Sequence, residues 1–310
     1  MAGILTYSDK TPLAMELITA AQVLARELNV PVKSLAINDE AMAQELSNKG
    51  AAVYQIDAGE LHLADTAAVA GVIKDAAEQL DCEIVLLSSN RRGKEWAGRL
   101  AQKMGAGCLT DVSNLHVDSG KVGGERNALG GATIADQLIV TDKQVIAVTP
   151  KSYDLPADGT GSIEKLDIAV QPGRIKVIET APKAGDTVDI EAADILVAVG
   201  QGLEDQEDIK IVEAIAESLG GEVACSKPLA TDKKWFSEER IIGLSGKKCK
   251  PELAILMGIS GQVQFTVGIR DARIIVAINN DENASIMGMA DYALVADLKD
   301  VLPAMQKALG

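Results

Sequence analysis

The stretch ILVAVGQGLEDQEDIKIVEAIAESLGGEVAC, residues 195–225, decides the fold. Ile195–Val199 is an unbroken aliphatic run, too short for a helix and suited to a strand buried on both faces of a parallel sheet. Gly200-Gln201-Gly202 interrupts it. From about Asp205 to Leu219, the residues Ile209, Val212, Ile215, Ala216 and Leu219 recur at the spacing of one helix face. The first turn is acidic, which complements the helix dipole. Gly220-Gly221 ends the helix, and a second strand, Glu222–Cys225, follows. Strand, crossover helix and strand make a βαβ unit, which predicts a parallel sheet with helices on its faces.

Toward the C-terminus three more strands are expected, at Leu253–Met257, Arg273–Ile278 and Tyr292–Ala296. Each of the five ends in small or polar residues: Gly200-Gln201-Gly202, Ser226-Lys227, Ser260-Gly261-Gln262, Asn279-Asn280-Asp281 and Asp297. In an open parallel sheet all these ends lie on one edge, where ligands bind at the point at which strand order reverses. Ser260-Gly261 precedes an expected helix, and small residues there let a phosphate approach backbone N–H groups. Asp297 is placed for a ribose or an adenine edge. The pattern implies a nucleotide-like ligand, although any one of these loops also reads as an ordinary strand-to-helix turn. The third glycine of the dinucleotide fingerprint is replaced by Asp205, which argues against a simple NAD site.

Toward the N-terminus the rhythm is again strand and helix. Strands are expected at Gly3–Tyr7, Val32–Ile37, Ala52–Ile56 and Glu83–Leu87, and helices at Leu13–Leu28, Ala41–Lys49, Ala64–Leu80 and Gly93–Met104. From Asp111 to about Val188 the segments are short and broken by Gly and Pro, which predicts antiparallel or irregular β structure. A boundary is expected around 185–192, near Pro182-Lys183-Ala184-Gly185. The expectation is thus an α/β protein of two domains. Residues 1–188 form an N-terminal α/β domain with a β-rich extension, and residues 189–310 a C-terminal, doubly wound parallel-sheet domain.

Composition agrees. The 310 residues are 47% hydrophobic but only 3% aromatic, so the cores must be aliphatic. A net charge of -15 disfavours nucleic acid and anionic membrane surfaces as partners. The four cysteines fit no metal or CxxC spacing and are expected to be reduced, buried thiols. His62 and His116 are the only histidines, too few for a His-rich metal site. The start, MAGILTYSDK, reads as a first strand rather than a signal peptide, and no apolar run approaches ~18 residues. A cytoplasmic protein without a membrane span is expected.

Five strings carry a more specific reading: CSKPLATD (225–232), IIGLSGK (241–247), PELAILMGISGQVQF (251–265), IIVAINND (274–281) and ADYALVADL (290–298). In this order and spacing they resemble the large, alpha subunit of electron transfer flavoproteins. The N-terminal half resembles the same family more loosely, best at SSNRRGKEWAGRLAQKMG (88–105). The resemblance implies FAD in the C-terminal domain. It also implies a heterodimer with a smaller beta subunit, which holds AMP or, in bifurcating members, a second FAD. Electrons from an acyl-CoA dehydrogenase or related donor, as in fatty acid beta-oxidation, pass through FAD to an acceptor. Such a chain is a carrier, not an enzyme with its own substrate.

Carried over residue by residue, Ser245 matches the hydroxyl residue near flavin N5, with Ile242, Gly243, Leu244 and Gly246 as its loop. Ser226 matches the loop beside the flavin. Ser260, Gly261, Gln262, Val263 and Gln264 match the turn and helix that hold phosphate and ribityl. Asn279 matches a nucleotide-contacting Asn, and Asp297 and Leu298 match the adenosine end. Three positions depart from the family: Lys227 stands where Arg is usual, Leu244 where Gln is common, and Phe265 where many members have a His near flavin N1 and O2. A donor there stabilises negative charge by ~1.5–3 kcal/mol, and Phe265 has none to offer, although it also reads as a packing residue. Lys227 keeps the charge but lacks the planar fork of Arg. Arg91-Arg92 with Lys94 could meet an anion or an acidic partner surface but read more readily as a solvated helix start. Lys233-Lys234-Trp235-Phe236 reads equally as a cover for the flavin edge or a partner contact and as local packing, and Lys247-Lys248 with Lys250 could offset FAD phosphate charge at long range. The rival readings are an α/β nucleotide-binding enzyme using NAD or ATP, and a non-redox scaffold. For an ATP enzyme, the turn at Tyr7–Ala14, YSDKTPLA, lacks the glycine-rich phosphate loop expected there.

Overall fold

A computed structural model describes residues 3–131, 133–170, 173, 175, 177–179 and 188–309. The chain divides into two compact units, Met1–Thr180 and Ala181–Gly310. The expected linker Pro182–Gly185 lies outside the described residues.

The first unit runs β1 (Gly3–Tyr7), α1 (Thr11–Leu28), β2 (Val32–Ile37), α2 (Glu40–Ser47), β3 (Ala52–Ile56), α3 (Thr66–Gln79), β4 (Cys82–Ser88) and α4 (Arg91–Met104). It continues with β5 (Gly107–Asp118), β6 (Lys121–Ala128), β7 (Thr133–Leu138), β8 (Gln144–Val148) and β9 (Ser162–Lys165). One sheet holds all nine strands in the order β7-β6-β5-β8-β4-β1-β2-β3-β9. The expected β-rich extension is only partly antiparallel. β5, β6 and β7 form an antiparallel meander, but β8 slots in parallel between β4 and β5, and β9 is parallel to β3. The reason is visible in the sequence of β8, QVIAV, which is buried at every position and so belongs in the middle of a sheet rather than at its rim.

The second unit is an all-parallel sheet. Its elements are β10 (Ile195–Val199), α5 (Ile209–Ser218), β11 (Glu222–Cys225), α6 (Lys227–Thr231), β12 (Leu253–Met257), α7 (Val263–Thr266), β13 (Ile274–Asn279), β14 (Tyr292–Val295) and α8 (Leu298–Leu309). The order is β11-β10-β12-β13-β14. The chain steps outward from β10 to β11 and then returns to the far side at β12, so strand order reverses between β10 and β12. In register, Val199 pairs with Cys225 and Met257, Met257 with Ile278, and Asn279 with Val295. All five strands therefore end on one edge.

Alternation along each strand builds the two cores. Val197 and Val199 of β10 and Ile255 and Met257 of β12 point to the face covered by α5 and α8, through Ile209, Val212, Ile215, Val301 and Leu302. Leu196, Ala198, Ala254 and Leu256 point to the other face, with Phe265, Ile269 and Ile286. The cover on this second face is thin. The helix expected after Ser260-Gly261 is four residues long, and β13 reaches β14 through a single 3-10 turn at Met287–Met289. β14 is the edge strand of the sheet, and all four of its residues are exposed. The helix expected over 205–219 opens as a 3-10 turn at Gln206–Asp208 before α5 begins. Of the cysteines, Cys82, Cys225 and Cys249 are buried free thiols, but Cys108 is exposed, contrary to expectation. Among the described residues no helix is long and apolar enough to cross a membrane.

Candidate functional site

The site is assembled from the strand ends of the second unit. At the reversal point the loops after β10 and β12 lock together. The N–H of Gly200 donates to Met257 O at 2.9 Å, and that of Gly202 to Gly258 O at 2.9 Å. A Cβ on Gly202 would lie 2.6 Å from Gly258 Cα. The Gly-x-Gly of the sequence is thus engaged in holding two loops together.

On the β11 side, the Ser226 N–H donates to Val199 O at 2.9 Å and the Ile242 N–H to Cys225 O at 3.0 Å. The Ile241–Lys247 loop closes on itself through Lys247 N–H to Ile241 O (2.8 Å) and Gly243 N–H to Lys247 O (3.1 Å). It is tied to α7 by Leu244 N–H donating to Gln264 O at 2.7 Å. Gly243 has φ +131, and a Cβ there would collide with the Gln264 carbonyl, so the residue must be glycine. Ile242 and Gly243 are buried, whereas Leu244, Ser245 and Gly246 are presented to solvent, Leu244 at 67% exposure. Burial of Cys225 beneath this loop pushes its thiol up to about 12. A thiol held neutral is a packing group there, not a nucleophile.

On the β12 side, Ser260 is exposed and its carbonyl accepts from Ile286 N–H at 3.2 Å. Gly261 is buried at φ +85, with Ile286 against the place a Cβ would occupy. Gln262, Val263 and Gln264 are exposed at the start of α7, whose first N–H groups have no carbonyl behind them in the helix. Phe265 is 8% exposed and packs with Ile242, Ile269 and Ile286 in the core. Asn279, also 8% exposed, uses its side chain as a clip: Nδ2 donates to Ile259 O at 2.8 Å, and Oδ1 accepts from Asp281 N–H at 2.9 Å. Asp297 caps α8, accepting from Lys299 N–H at 2.9 Å, while Leu298 is buried beneath it.

The sequence-derived residues therefore fall into two groups. Lys227, Leu244, Ser245, Gly246, Ser260, Gln262, Val263, Gln264 and Asp297 are exposed on the strand-end edge, with Ser226 half-exposed. Ile242, Gly243, Gly261, Phe265, Asn279 and Leu298 lie beneath and set the shape. Among the described residues the Ser245 and Ser260 hydroxyls have no hydrogen-bond partner. This donor set fits FAD. It offers hydroxyls, backbone N–H groups and an ammonium for a diphosphate and a ring with acceptors, and it has a carboxylate for ribose hydroxyls.

Several positively charged candidates are otherwise engaged. Lys233 lies 3.9 Å over the Trp235 ring and donates to Leu203 O at 3.1 Å. Trp235 and Phe236 pack against the core, and Lys247 pairs with Glu239 at 3.3 Å. In the first unit Arg92 bonds Asp9 at 2.8 Å, and Lys94 lies 3.4 Å from Asp111. There too strand order reverses, between β1 and β4, but the crevice is filled by its own side chains. Ser8 and Ser88 share a 2.9 Å hydroxyl bond, and Asn90 donates to Asp9 at 3.0 Å. No open phosphate turn is present there. Two supports were not legible in sequence: Ile286 beneath Gly261, and Arg240, whose Nη1 donates to Val223 O at 2.6 Å.

Comparison with known proteins agrees with this geometry. Residues 189–270 match the electron transfer flavoprotein FAD-binding domain, and residues 8–171 the electron transfer flavoprotein domain. Protein FixB of Escherichia coli O6:K15:H31 (strain 536 / UPEC) is 34% identical over 307 residues, covering 98% of this chain and 96% of the relative. Protein FixB of Escherichia coli strain K12 is 33% identical over 307 residues with the same coverage. A solved structure, Acinetobacter baumannii MurG, aligns at 11% identity over 99% of this chain and 100% of that one with a TM-score of 0.34, too low to carry an argument. With both family domains matched in order and relatives aligned nearly end to end, the chain belongs to the electron transfer flavoprotein family, as the FAD-binding alpha subunit.

Proposed function

We propose that this chain holds FAD along the strand-end edge of its second unit with the residues named above. It relays electrons between a donor of the acyl-CoA dehydrogenase type and an acceptor, within a heterodimer whose beta subunit holds AMP or a second FAD. It turns over no substrate of its own and works in the cytoplasm. The observation that carries the reading is the stapling of the Ser245 loop to the Ser260–Gln264 turn, by Leu244 N–H to Gln264 O, at the reversal point of a parallel sheet. We place the division of the chain near 188/189, where the chain enters the core of the second unit through Val188 and Ile190.

Bound there, FAD supplies reversible uptake and release of electrons. The chain's residues position and shield it. Ser245 offers a hydroxyl to the ring edge, and Lys227 and Ser226 border the same end. Ser260 and the first N–H groups of α7 face the diphosphate. Asp297 keeps one carboxylate oxygen for a ribose, since only Oδ1 is used in capping α8. Leu244 and Val263, both large apolar side chains left exposed, exclude water from the ring.

The test is visible absorption of the chain purified with its beta subunit. A yellow complex with one FAD per alpha chain is expected, with FAD lost first from a Ser260→Ala/Gln264→Ala double variant. A complex that stays colourless after incubation with excess FAD would refute the reading.

A further inference from the structure

Charge in the second unit is unevenly placed. The connection between β11 and β12, residues 226–252, holds seven cations against four acids, Asp232, Glu238, Glu239 and Glu252, a net of +3 in a chain of net -15. The rest of residues 189–310 has five cations against sixteen acids, a net of -11. The basic connection is the one that carries Ser226, Lys227 and the Ile242–Gly246 loop, so the positive surface borders the proposed flavin edge.

It is a built lobe, not a loose tail. Lys233 N–H donates to Pro228 O at 3.1 Å, Trp235 N–H to Leu229 O at 2.9 Å, and Ile242 N–H to Cys225 O at 3.0 Å. The Lys233 ammonium is fixed by the Trp235 ring and by Leu203 O. Lys227, Lys234 and Lys248 are exposed on it. The turn proposed for the diphosphate lies in a different connection, and residues 258–269 contain no Lys or Arg. A fixed, exposed positive surface on an otherwise acidic unit, adjoining a redox edge, selects and orients a negatively charged partner.

We propose that this basic lobe is the docking surface for an acidic redox protein, whose redox group it brings to the flavin edge. The proposal rests on the FAD reading above. In the transfer, each electron leaving reduced FAD reduces one acceptor centre by one electron, and the flavin's protons go to solvent.

The experiment uses the holo heterodimer, reduced with dithionite, mixed in stopped flow with ferric cytochrome b5, an acidic one-electron haem protein. Ferric cytochrome c, a basic one, is the control. Two molecules of either are reduced per FAD. Two like-charged proteins without a docking patch react faster as salt screens their repulsion. The basic lobe predicts the reverse: the cytochrome b5 rate falls as ionic strength rises from about 20 to about 200 mM. Lys234→Glu/Lys248→Glu lowers the low-salt rate with cytochrome b5 roughly tenfold and inverts its salt dependence, while cytochrome c is not slowed. The milder Lys234→Gln/Lys248→Gln lies between, should charge reversal disturb folding. A wild-type cytochrome b5 rate that climbs with salt, or one the variants leave unchanged, overturns the proposal. FAD absorbance recorded on the same samples keeps the two readings apart: a complex without FAD refutes the cofactor assignment, and a complex with FAD but no salt inversion refutes the docking surface alone.

Discussion

Replacing Asn279 by alanine separates a side-chain clip from a direct ligand contact. The two bonds of Asn279, to Ile259 O at 2.8 Å and from Asp281 N–H at 2.9 Å, join the turn after β12 to the turn after β13. Each contributes about 1–1.5 kcal/mol net, and alanine strands both backbone partners in a residue environment only 8% exposed. Water reaching the rim recovers part of that, which puts the loss at about 2 kcal/mol. The turn freed is the one carrying Ser260 and Gly261, so the same energy reappears as FAD affinity, roughly 30-fold weaker. Urea unfolding of the apo complex gives the first quantity, and quenching of FAD fluorescence on binding gives the second. Both are expected to change together. If affinity drops 30-fold while unfolding free energy stays within about 0.5 kcal/mol of wild type, Asn279 is a contact and the clip argument is wrong.

Gly261→Ala forces a Cβ against Ile286 at φ +85 and is expected to cost about 2–4 kcal/mol, with loss of FAD; an alanine variant of wild-type stability would show that the turn can relax. Phe265→His inserts a polar ring into an apolar cluster, costing about 1–3 kcal/mol of stability, and supplies a donor that raises the flavin potential by about 30–60 mV for two electrons; an unchanged potential in redox titration removes Phe265 from the redox account. Cys225 titrates well above an unfolded thiol, so its contribution is fully present below about pH 9 and is lost as pH rises toward about 12. Cys225→Ala should therefore flatten that alkaline limb of the stability curve, and a limb identical to wild type would assign the loss to other groups.

Much of this was readable in the residues, and the failures have physical causes. Strands such as Ile195–Val199, Glu222–Cys225 and Leu253–Met257 fall where expected, because an aliphatic run between turn residues has few other uses. Antiparallel or irregular β structure was expected of the Gly- and Pro-rich segment that contains β8, but a strand's neighbours are set by its own burial, and QVIAV, paired in parallel with β4 and β5, needs cover on both sides. The helix expected after Gly261 shrank to Val263–Thr266 because Gly268 follows, close beneath Gly243, and ends the run.

The site shows the same division at finer scale. Strand-end topology alone brings residues from Ser226 to Asp297 onto one edge, and that much follows from the βαβ pattern. Which of them face a ligand does not follow, because exposure depends on contacts far apart in sequence. Asn279 and Asp297 look alike as polar strand-end residues. Asn279 spends both ends of its amide on backbone and lies buried, while Asp297 spends one oxygen on a helix cap and keeps the other. Likewise Gly200 and Gly202 look like a phosphate loop, yet their N–H groups are committed to Met257 and Gly258. The proposed place for the cofactor is therefore the outer side of that lock, at Ser260 and the Ser245 loop. Ser245 and Ser260 are both exposed there.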